Sequence, residues 1–240
     1  IWSNRTQTGD ISEISFAFDR KAWDFVCCEG GNCLGPKCSS FKNCFYWKAR
    51  KNWETADILV ANHALFFTNL KITMEEKFEA SLLPDYCAVV FDEAHVMEGD
   101  AAEHLGLRIS KIGFDIFLKK LFNPETGKGF LVRGGVREAE MRARIDSITK
   151  LSAGYFHKLS SLLSEKNTDC LRLRKTGLAT DTVSEEIYSF SKHLAGMAKT
   201  ETDENYRQEL ESYTMKAEFY ADAFYRFSNM TFENYVYWIE

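Results

Sequence analysis

Apolar residues recur every three or four positions along two long stretches in the second half of the chain, residues 141–162 and residues 206–227. This spacing matches the α-helical repeat and places the apolar side chains on one face of each helix. A third, shorter pattern follows residues 182–185, Thr-Val-Ser-Glu, whose spacing is that of a capping box at a helix start. The sequence therefore predicts an antiparallel bundle or hairpin array of helices in this half.

The first half of the chain contains two short apolar runs, residues 58–61 and 88–91, with a helical stretch around residues 63–70 between them. Short β-branched runs that alternate with helices are typical of buried parallel strands in an α/β unit. Each run ends in a polar pair, residues 62–63 and residues 92–93. Because ligands bind at the carboxyl ends of parallel strands, both pairs are candidates for a binding site.

The composition suits a folded protein, since 45% of the 240 residues are apolar and such a chain can bury a sizeable core. No stretch approaches the roughly 18 consecutive apolar residues of a membrane span, and the amino terminus lacks the pattern of a signal peptide. We therefore expect a soluble, cytoplasmic protein with no membrane partner. The chain opens on Ile and not on Met, so we also expect a portion of a longer protein.

The net charge of -5 is unevenly distributed along the chain. Residues 1–51 contain eight Lys and Arg against five acidic residues, a local charge of +3, so the remainder is acidic. A basic surface attracts nucleic-acid phosphates and an acidic one repels them. Contact with nucleic acid is therefore expected in the amino-terminal part, whereas the acidic remainder suits a solvated helical region.

Five of the seven cysteines lie within eighteen residues, from Cys27 to Cys44. An odd number of cysteines without an export signal disfavours a disulfide framework, and clustered thiols in a reducing compartment more often hold a metal. Residues 45–56 follow with Phe45, Ala49 and Trp53 four positions apart, which predicts a short helix. The cysteine segment itself has too little apolar periodicity to be held by a core of its own.

Phosphoryl transfer needs a carboxylate that holds Mg²⁺ and a group that orients or deprotonates the attacking water, both on a rigid element. Asp92, Glu93, Ala94 and His95 directly follow the second apolar run. Asp92 is the candidate magnesium ligand, Glu93 the candidate water-activating residue, and His95 a candidate sensor of the phosphate state. Alternatively, Asp92 simply caps a following helix, but the complete Asp-Glu-Ala-His string favours the chemical role.

The order of these motifs resembles the superfamily 2 helicases, and specifically the iron-sulfur DNA helicases of the XPD and DinG type. In the DinG branch, three cluster cysteines with four and then five residues between them precede a short basic helix, an Ala-Asp-apolar-Asn-His-Ala-Leu segment and the acidic box. Here Cys33, Cys38 and Cys44 have those spacings, and residues 56–65 and 92–95 match the later motifs in order. The resemblance is specific over residues 23–106 and weaker across the helical remainder.

This resemblance implies a mainly α fold with a small cysteine-rich iron-sulfur domain, a partial RecA-like α/β segment that carries the acidic box, and a helical arch domain. The corresponding ranges are residues 1–56, 57–100 and 101–233. Residues 234–240 resemble the strand with which such proteins return toward the motor domains.

It also implies a fragment of an ATP-dependent helicase that moves 5′ to 3′ on DNA and works with the remaining motor domains of its parent chain, in a bacterial cytoplasm and at the nucleoid. No G-x-x-x-x-G-K-[ST] loop occurs in the sequence, and this loop normally cradles ATP phosphates. We therefore expect the parent protein, and not the isolated chain, to hydrolyse ATP, with Asp92 holding the Mg²⁺.

The resemblance further assigns Cys33, Cys38 and Cys44 to a 4Fe-4S cluster whose fourth ligand lies upstream. Zinc is the competing metal, although the segment lacks the paired C-x2-C knuckles of zinc modules. Single-stranded or forked DNA would bind the basic side chains around these cysteines, which combine phosphate contacts with nearby aromatic stacking surfaces. These side chains are Lys37, Lys42, Lys48 and Arg50.

Two functions of other classes stay open at this point. One is a non-catalytic nucleic-acid or protein interaction module derived from a helicase, in which the acidic box is a relic. The other is a nuclease accessory fused to a helicase-like core, for which the sequence offers no acidic nuclease cluster.

Overall fold

The structure is a computed structural model that describes residues 5–18, 23, 27, 33, 35–74, 81–133 and 138–240. It is mainly helical, which confirms the predicted fold class. The chain divides into two compact units, Ile1–Leu107 and Arg108–Glu240. The finer four-part division stays a prediction. No helix within the described residues is both long and apolar enough to cross a membrane.

The first unit consists of three described α-helices joined by loops and short 3-10 turns. Helix α1 spans Phe45–Trp53, α2 spans His63–Met74 and α3 spans Met97–Leu105. Helices α2 and α3 pack against each other. The helices predicted over residues 45–56 and 63–70 are thereby confirmed, and α2 extends one turn further than its apolar pattern indicated.

The two buried strands predicted in the first unit are wrong for this chain. Residues 58–61 and 88–91 pair with no strand among the described residues. Most of their apolar side chains face solvent, with Val60 93% and Val90 95% exposed, whereas Phe91 packs on α2. A parallel strand needs neighbouring strands for its backbone hydrogen bonds, and the described part of this unit supplies none.

The second unit is built from five α-helices in its described residues. Helices α4 and α5 span Lys111–Leu121 and Phe130–Arg133, and the long α6 spans Glu138–Lys166. Helices α7 and α8 span Ser184–Thr200 and Glu204–Asn229 and share the most extensive interface. Only three residues connect them, which turns the chain back on itself as in a helical hairpin.

The core of this unit confirms the predicted apolar stripes. Phe114, Ile148, Leu194, Leu210 and Phe224 are fully buried, each with 0% of its surface exposed. They come from four different helices, so the stripes meet in one cluster. Close packing of such side chains supplies most of the stability of a helical domain.

A buried hydrogen bond ties helix α6 to helix α8 within this core. The hydroxyl groups of Tyr155 and Ser228 lie 2.8 Å apart, and the Tyr155 ring packs edge to face against Phe224 at 5.1 Å. Burial raises the pKa of Tyr155 to about 12, because the phenolate would lose its hydration. The tyrosine therefore stays neutral and keeps its hydrogen bond.

The start of α7 differs from the predicted capping box at residues 182–185. The Asp181 carboxylate accepts hydrogen bonds from the backbone N–H groups of Val183 and Ser184, at 3.0 and 2.9 Å, and it also bonds the Ser184 hydroxyl. An aspartate accepts through two oxygens and carries a charge that favours the positive end of the helix. The acid one position upstream thus replaces Thr182.

The predicted carboxyl-terminal strand is present over Tyr237–Ile239, designated β2. It pairs antiparallel with Leu171–Leu173, designated β1, in the register Leu171 to Ile239 and Leu173 to Tyr237. An ion pair between Arg108 and Glu240 at 2.9 Å links the two ends of the unit. The role of this strand in a motor domain stays a prediction.

Replacing Ile148 by Ala should lower the free energy of unfolding of the second unit by about 2–5 kcal/mol, because it opens a cavity in a fully packed core. The matched control is Ile112→Ala, at a side chain that is 74% exposed, for which we expect a change within about 0.5 kcal/mol. Urea unfolding followed by far-UV circular dichroism measures both, and equal midpoints for the two variants would contradict the assigned core.

Candidate functional site

The acidic box lies in an exposed turn between residues 88–91 and helix α3. Glu93 adopts the left-handed conformation, with φ 50° and ψ 46°, which costs a non-glycine residue roughly 1 kcal/mol. The Asp92 carboxylate accepts a hydrogen bond from the Glu93 N–H at 2.9 Å. A 3-10 turn over Ala94–Val96 then leads into α3.

Asp92 does not cap a helix, so this alternative for the acidic pair is wrong. Glu93 precedes the 3-10 turn and Val96 precedes α3, and neither forms a side-chain cap. The Asp92 side chain is exposed and is free to take a ligand.

His95 is brought next to Glu93, as a coupled pair would require. Its Nδ1 lies 3.3 Å from the Glu93 Oε2, and the two side chains are 75% and 69% exposed. Solvent screens an ion pair of this kind to a small net contribution. The pair therefore adds little stability and leaves both side chains accessible.

One open cleft of about 430 Å³ brings together the two polar pairs that follow the apolar runs. Asn62 and His63 line one side and Asp92 and Glu93 line another. The two pairs thus lie at one cleft, although the runs before them form no sheet among the described residues. The remaining lining residues are Ala61, Ala64, Val96, Asp100 and His104.

Asp100 and His104 are site residues that the sequence interpretation missed. They lie four positions apart on α3, so they share the face that borders the cleft. The helical spacing after the acidic box was the available signal. Without knowledge of the packing between α2 and α3, however, that spacing does not say which face is turned toward the acidic residues.

Aromatic packing fixes the residue that precedes the acidic box. Phe91 packs edge to face against Phe66, with ring centroids 5.1 Å apart, and stacks on Phe67 at 6.4 Å. Its ring also lies 6.0 Å from the His63 ring. Such aromatic contacts add roughly 0.5–1.5 kcal/mol each beyond area burial, so the position of Asp92 follows from helix α2.

Asn69 anchors the segment that leads to the box. Its side chain is buried, and its Oδ1 accepts hydrogen bonds from the Ser81 hydroxyl at 2.8 Å, the Leu82 N–H at 2.7 Å and the Leu83 N–H at 2.9 Å. A single carbonyl oxygen therefore satisfies three donors. The segment before the box is therefore attached to α2 at both of its ends, at its start through Asn69 and at its end through Phe91.

The three predicted cluster cysteines are half-buried around two short 3-10 turns, Gly35–Lys37 and Phe41–Asn43. The Gly35 N–H donates to the Cys33 Sγ at 3.4 Å. Cys44 immediately precedes α1. Among the described residues, however, no three Cys, His, Asp or Glu side chains are gathered tightly enough to hold a metal ion.

A buried donor beside these turns fits a sulfur-rich group. The indole N–H of Trp47 is buried and has no acceptor among the described residues. The Cζ2 atom of this ring, on its nitrogen side, lies 3.8 Å from the position of a Cβ on Gly35. The soft thiol donors and the available N–H have the chemistry that a thiolate-bound metal needs. The three cysteines, however, are one ligand short of the four that a 4Fe-4S cluster takes.

The basic side chains predicted to contact DNA lie on and before α1. Lys37, Lys42 and Lys48 are exposed, and Arg50 is half-buried. The Lys48 ammonium lies over the Phe45 ring at 5.6 Å, and the Arg50 guanidinium lies over the Trp53 ring at 5.0 Å. Each of the two rings therefore already has a cation over one of its faces. This favours packing over base stacking for Phe45 and Trp53.

Comparison with known proteins shows which sequences this chain resembles. The chain is 40% identical over 110 residues to the ATP-dependent DNA helicase YoaA of Escherichia coli and 30% identical over 95 residues to the ATP-dependent helicase DinG of Mycobacterium tuberculosis. It is 28% identical over 122 residues to the 3'-5' exonuclease DinG of Bacillus subtilis. The chain is therefore similar to helicases of the DinG type over about half of its length. No family model matches it.

The similarity between this chain and its DinG-type relatives covers only part of each of the two sequences that are compared. The match to YoaA covers 45% of the chain and 17% of the relative, and the match to the mycobacterial DinG covers 39% and 13%. The match to the Bacillus protein covers 50% and 12%. The matched part thus spans less than a fifth of the length of these curated relatives.

Replacing Asn69 by Ala should loosen the segment before the acidic box, because it leaves the buried N–H groups of Leu82 and Leu83 without an acceptor. The expected cost is about 2 kcal/mol, or roughly 30-fold faster amide exchange at these two residues. Hydrogen–deuterium exchange of the 240-residue chain measures it. Asn52→Ala, at an exposed side chain in α1, is the control, and unchanged exchange in Asn69→Ala would refute the anchor.

Proposed function

We propose that this chain is a fragment of an ATP-dependent DNA helicase of the DinG type that moves 5′ to 3′. The cleft carries the proposal, because it joins the acidic box to the Asn62-His63 pair in one site. The similarity to the ATP-dependent helicases YoaA and DinG supports the same activity. These relatives are bacterial, which supports a place in the bacterial cytoplasm, at the DNA of the nucleoid.

In this proposal Asp92 holds Mg²⁺, directly or through a water molecule, and Glu93 orients and deprotonates the water that attacks the γ-phosphate of ATP. His95, beside Glu93, links the phosphate state to the neighbouring motor domain. The sequence contains no phosphate-cradling G-x-x-x-x-G-K-[ST] loop. That loop and the arginine-bearing second motor domain are assigned to the rest of the parent chain, so the isolated fragment is expected to be inactive.

The loop of Cys33, Cys38 and Cys44 is assigned to a 4Fe-4S cluster with a fourth ligand upstream. Three thiolates and the N–H donors of Gly35 and Trp47 suit such a cluster in chemistry. Bound there, the cluster would fix a segment that has no apolar core of its own.

DNA is assigned to the basic surface of the first unit and to the helical unit as an arch. Exposed lysines beside the cysteine turns provide phosphate contacts for single-stranded or forked DNA without reading sequence. Lys37, Lys42, Lys48 and Arg50 form this surface. The helical unit frames the path of one strand in this proposal.

Replacing Glu93 by Gln in the parent protein should lower kcat for DNA-stimulated ATP hydrolysis by about 10²–10⁴-fold, the usual contribution of a positioned acid–base group. Binding of single-stranded DNA should stay within roughly twofold, since Glu93 is not part of the proposed basic DNA surface. Glu98→Gln, at an exposed acid on α3, is the matched control. Wild-type ATPase in Glu93→Gln would contradict the role assigned to Glu93, whereas DNA binding without any nucleotide effect in the parent would favour a non-catalytic interaction module in which the box is a relic.

Anaerobically purified parent protein should contain about four iron atoms and four acid-labile sulfides per chain. Cys38→Ser should lose most of both, whereas Cys170→Ser should retain them, because Cys170 is an exposed cysteine far from the loop in sequence. Metal and sulfide analysis measures the two variants side by side. Zinc in place of iron, or full iron content in Cys38→Ser, would rule out the assigned cluster.

A further inference from the structure

We propose that His63, held by Asp100, is a positioning residue for the acidic box. This inference deepens the proposed function and rests on it. It concerns a pair of residues that are 37 positions apart in the chain and meet beside the catalytic cleft. The pair would connect the chain before the box to the helix after it.

The geometry of the pair supplies the first argument. The Nδ1 of His63 lies 2.8 Å from the Asp100 Oδ2, and the two side chains are 19% and 37% exposed. In this pair the imidazole Nδ1–H donates and the carboxylate oxygen accepts. The hydrogen bond fixes the plane of the imidazole ring beside the cleft.

The neighbours of the pair supply the second argument. The His63 ring packs near Phe91 at 6.0 Å, and Phe91 is the residue directly before Asp92. Asp100 belongs to α3, the helix that begins just after the box. One side chain on α2 therefore holds both flanks of the acidic turn.

The weak local support of the turn supplies the third argument. Within the described residues, the side chains of Asp92 and Glu93 make polar contacts only inside the turn itself, with the Glu93 N–H and with His95. Glu93 also adopts a left-handed conformation that an unsupported chain disfavours. The separation of Asp92 from Glu93 must then be maintained by the flanks, and the His63–Asp100 pair joins them.

The test uses the parent protein and DNA-stimulated ATP hydrolysis, with kcat and KM for ATP measured separately. His63→Ala and Asp100→Ala should each lower kcat by about 10- to 100-fold, because a misplacement of 1 Å costs about that much. KM should change less than roughly twofold. The double variant should be no worse than the poorer single variant, since both remove the same contact.

Two further variants separate positioning from a general loss of stability. In His63→Asn the amide nitrogen branches from Cγ as Nδ1 does, so it can still donate to Asp100, and part of the kcat should return. Glu98→Ala changes an exposed acid on α3, the helix that carries Asp100, and should retain wild-type kcat. Circular dichroism of every variant checks that the helices remain formed.

The outcomes distinguish the inference from the proposed function. A wild-type parent without DNA-stimulated ATPase would remove the proposed function and this inference with it. An active parent whose His63→Ala and Asp100→Ala variants match Glu98→Ala would overturn this inference alone. Strictly additive losses, a change in KM only, or no recovery in His63→Asn with the helices intact would overturn it as well.

Discussion

The packing of Phe91 on helix α2 is the contact on which the candidate site depends. Phe66, Phe67 and His63 surround its ring, and the acidic box begins at the next residue. Because the turn that carries the carboxylates is exposed and has only local hydrogen bonds, its place is set by this aromatic anchor and by α3. Helix α2 thus acts as the scaffold of the site.

The second unit obtains its stability from a source that does not involve the site. Its helices bury a continuous cluster of aliphatic and aromatic side chains. The buried hydrogen bond between Tyr155 and Ser228 lies within that cluster. Such a core can tolerate a changed surface, because the surface residues contribute little to packing.

The first unit carries chemistry that is open on one side. Val60 and Val90 are 93% and 95% exposed and belong to the runs before the two polar pairs. The side chains of Asp92 and Glu93 also face solvent. Apolar side chains in extended segments gain most when strands pair with them and helices cover them. The proposed motor domains of the parent would supply both, and the phosphate-binding loop would then stand opposite Asp92.

The sequence by itself determined the helices of the second unit and the identity of the chemical motifs. Helical periodicity is local, so a strong apolar repeat predicts its own helix and its buried face. The spacing of Cys33, Cys38 and Cys44 and the Asp-Glu-Ala-His string likewise depend only on neighbours in the chain, which is why the resemblance to DinG-type helicases could be read from them.

Tertiary structure alone decided which distant residues meet. The contact of His63 with Asp100 depends on how α2 and α3 pack, and β1 could be recognised only through its pairing with β2. The short apolar runs at residues 58–61 and 88–91 predict strands that do not form, because a strand depends on its neighbours as well as on its own residues. Asp181 takes the place of the predicted cap residue Thr182, because the geometry of the loop before α7 decides which of these two adjacent side chains accepts the hydrogen bonds.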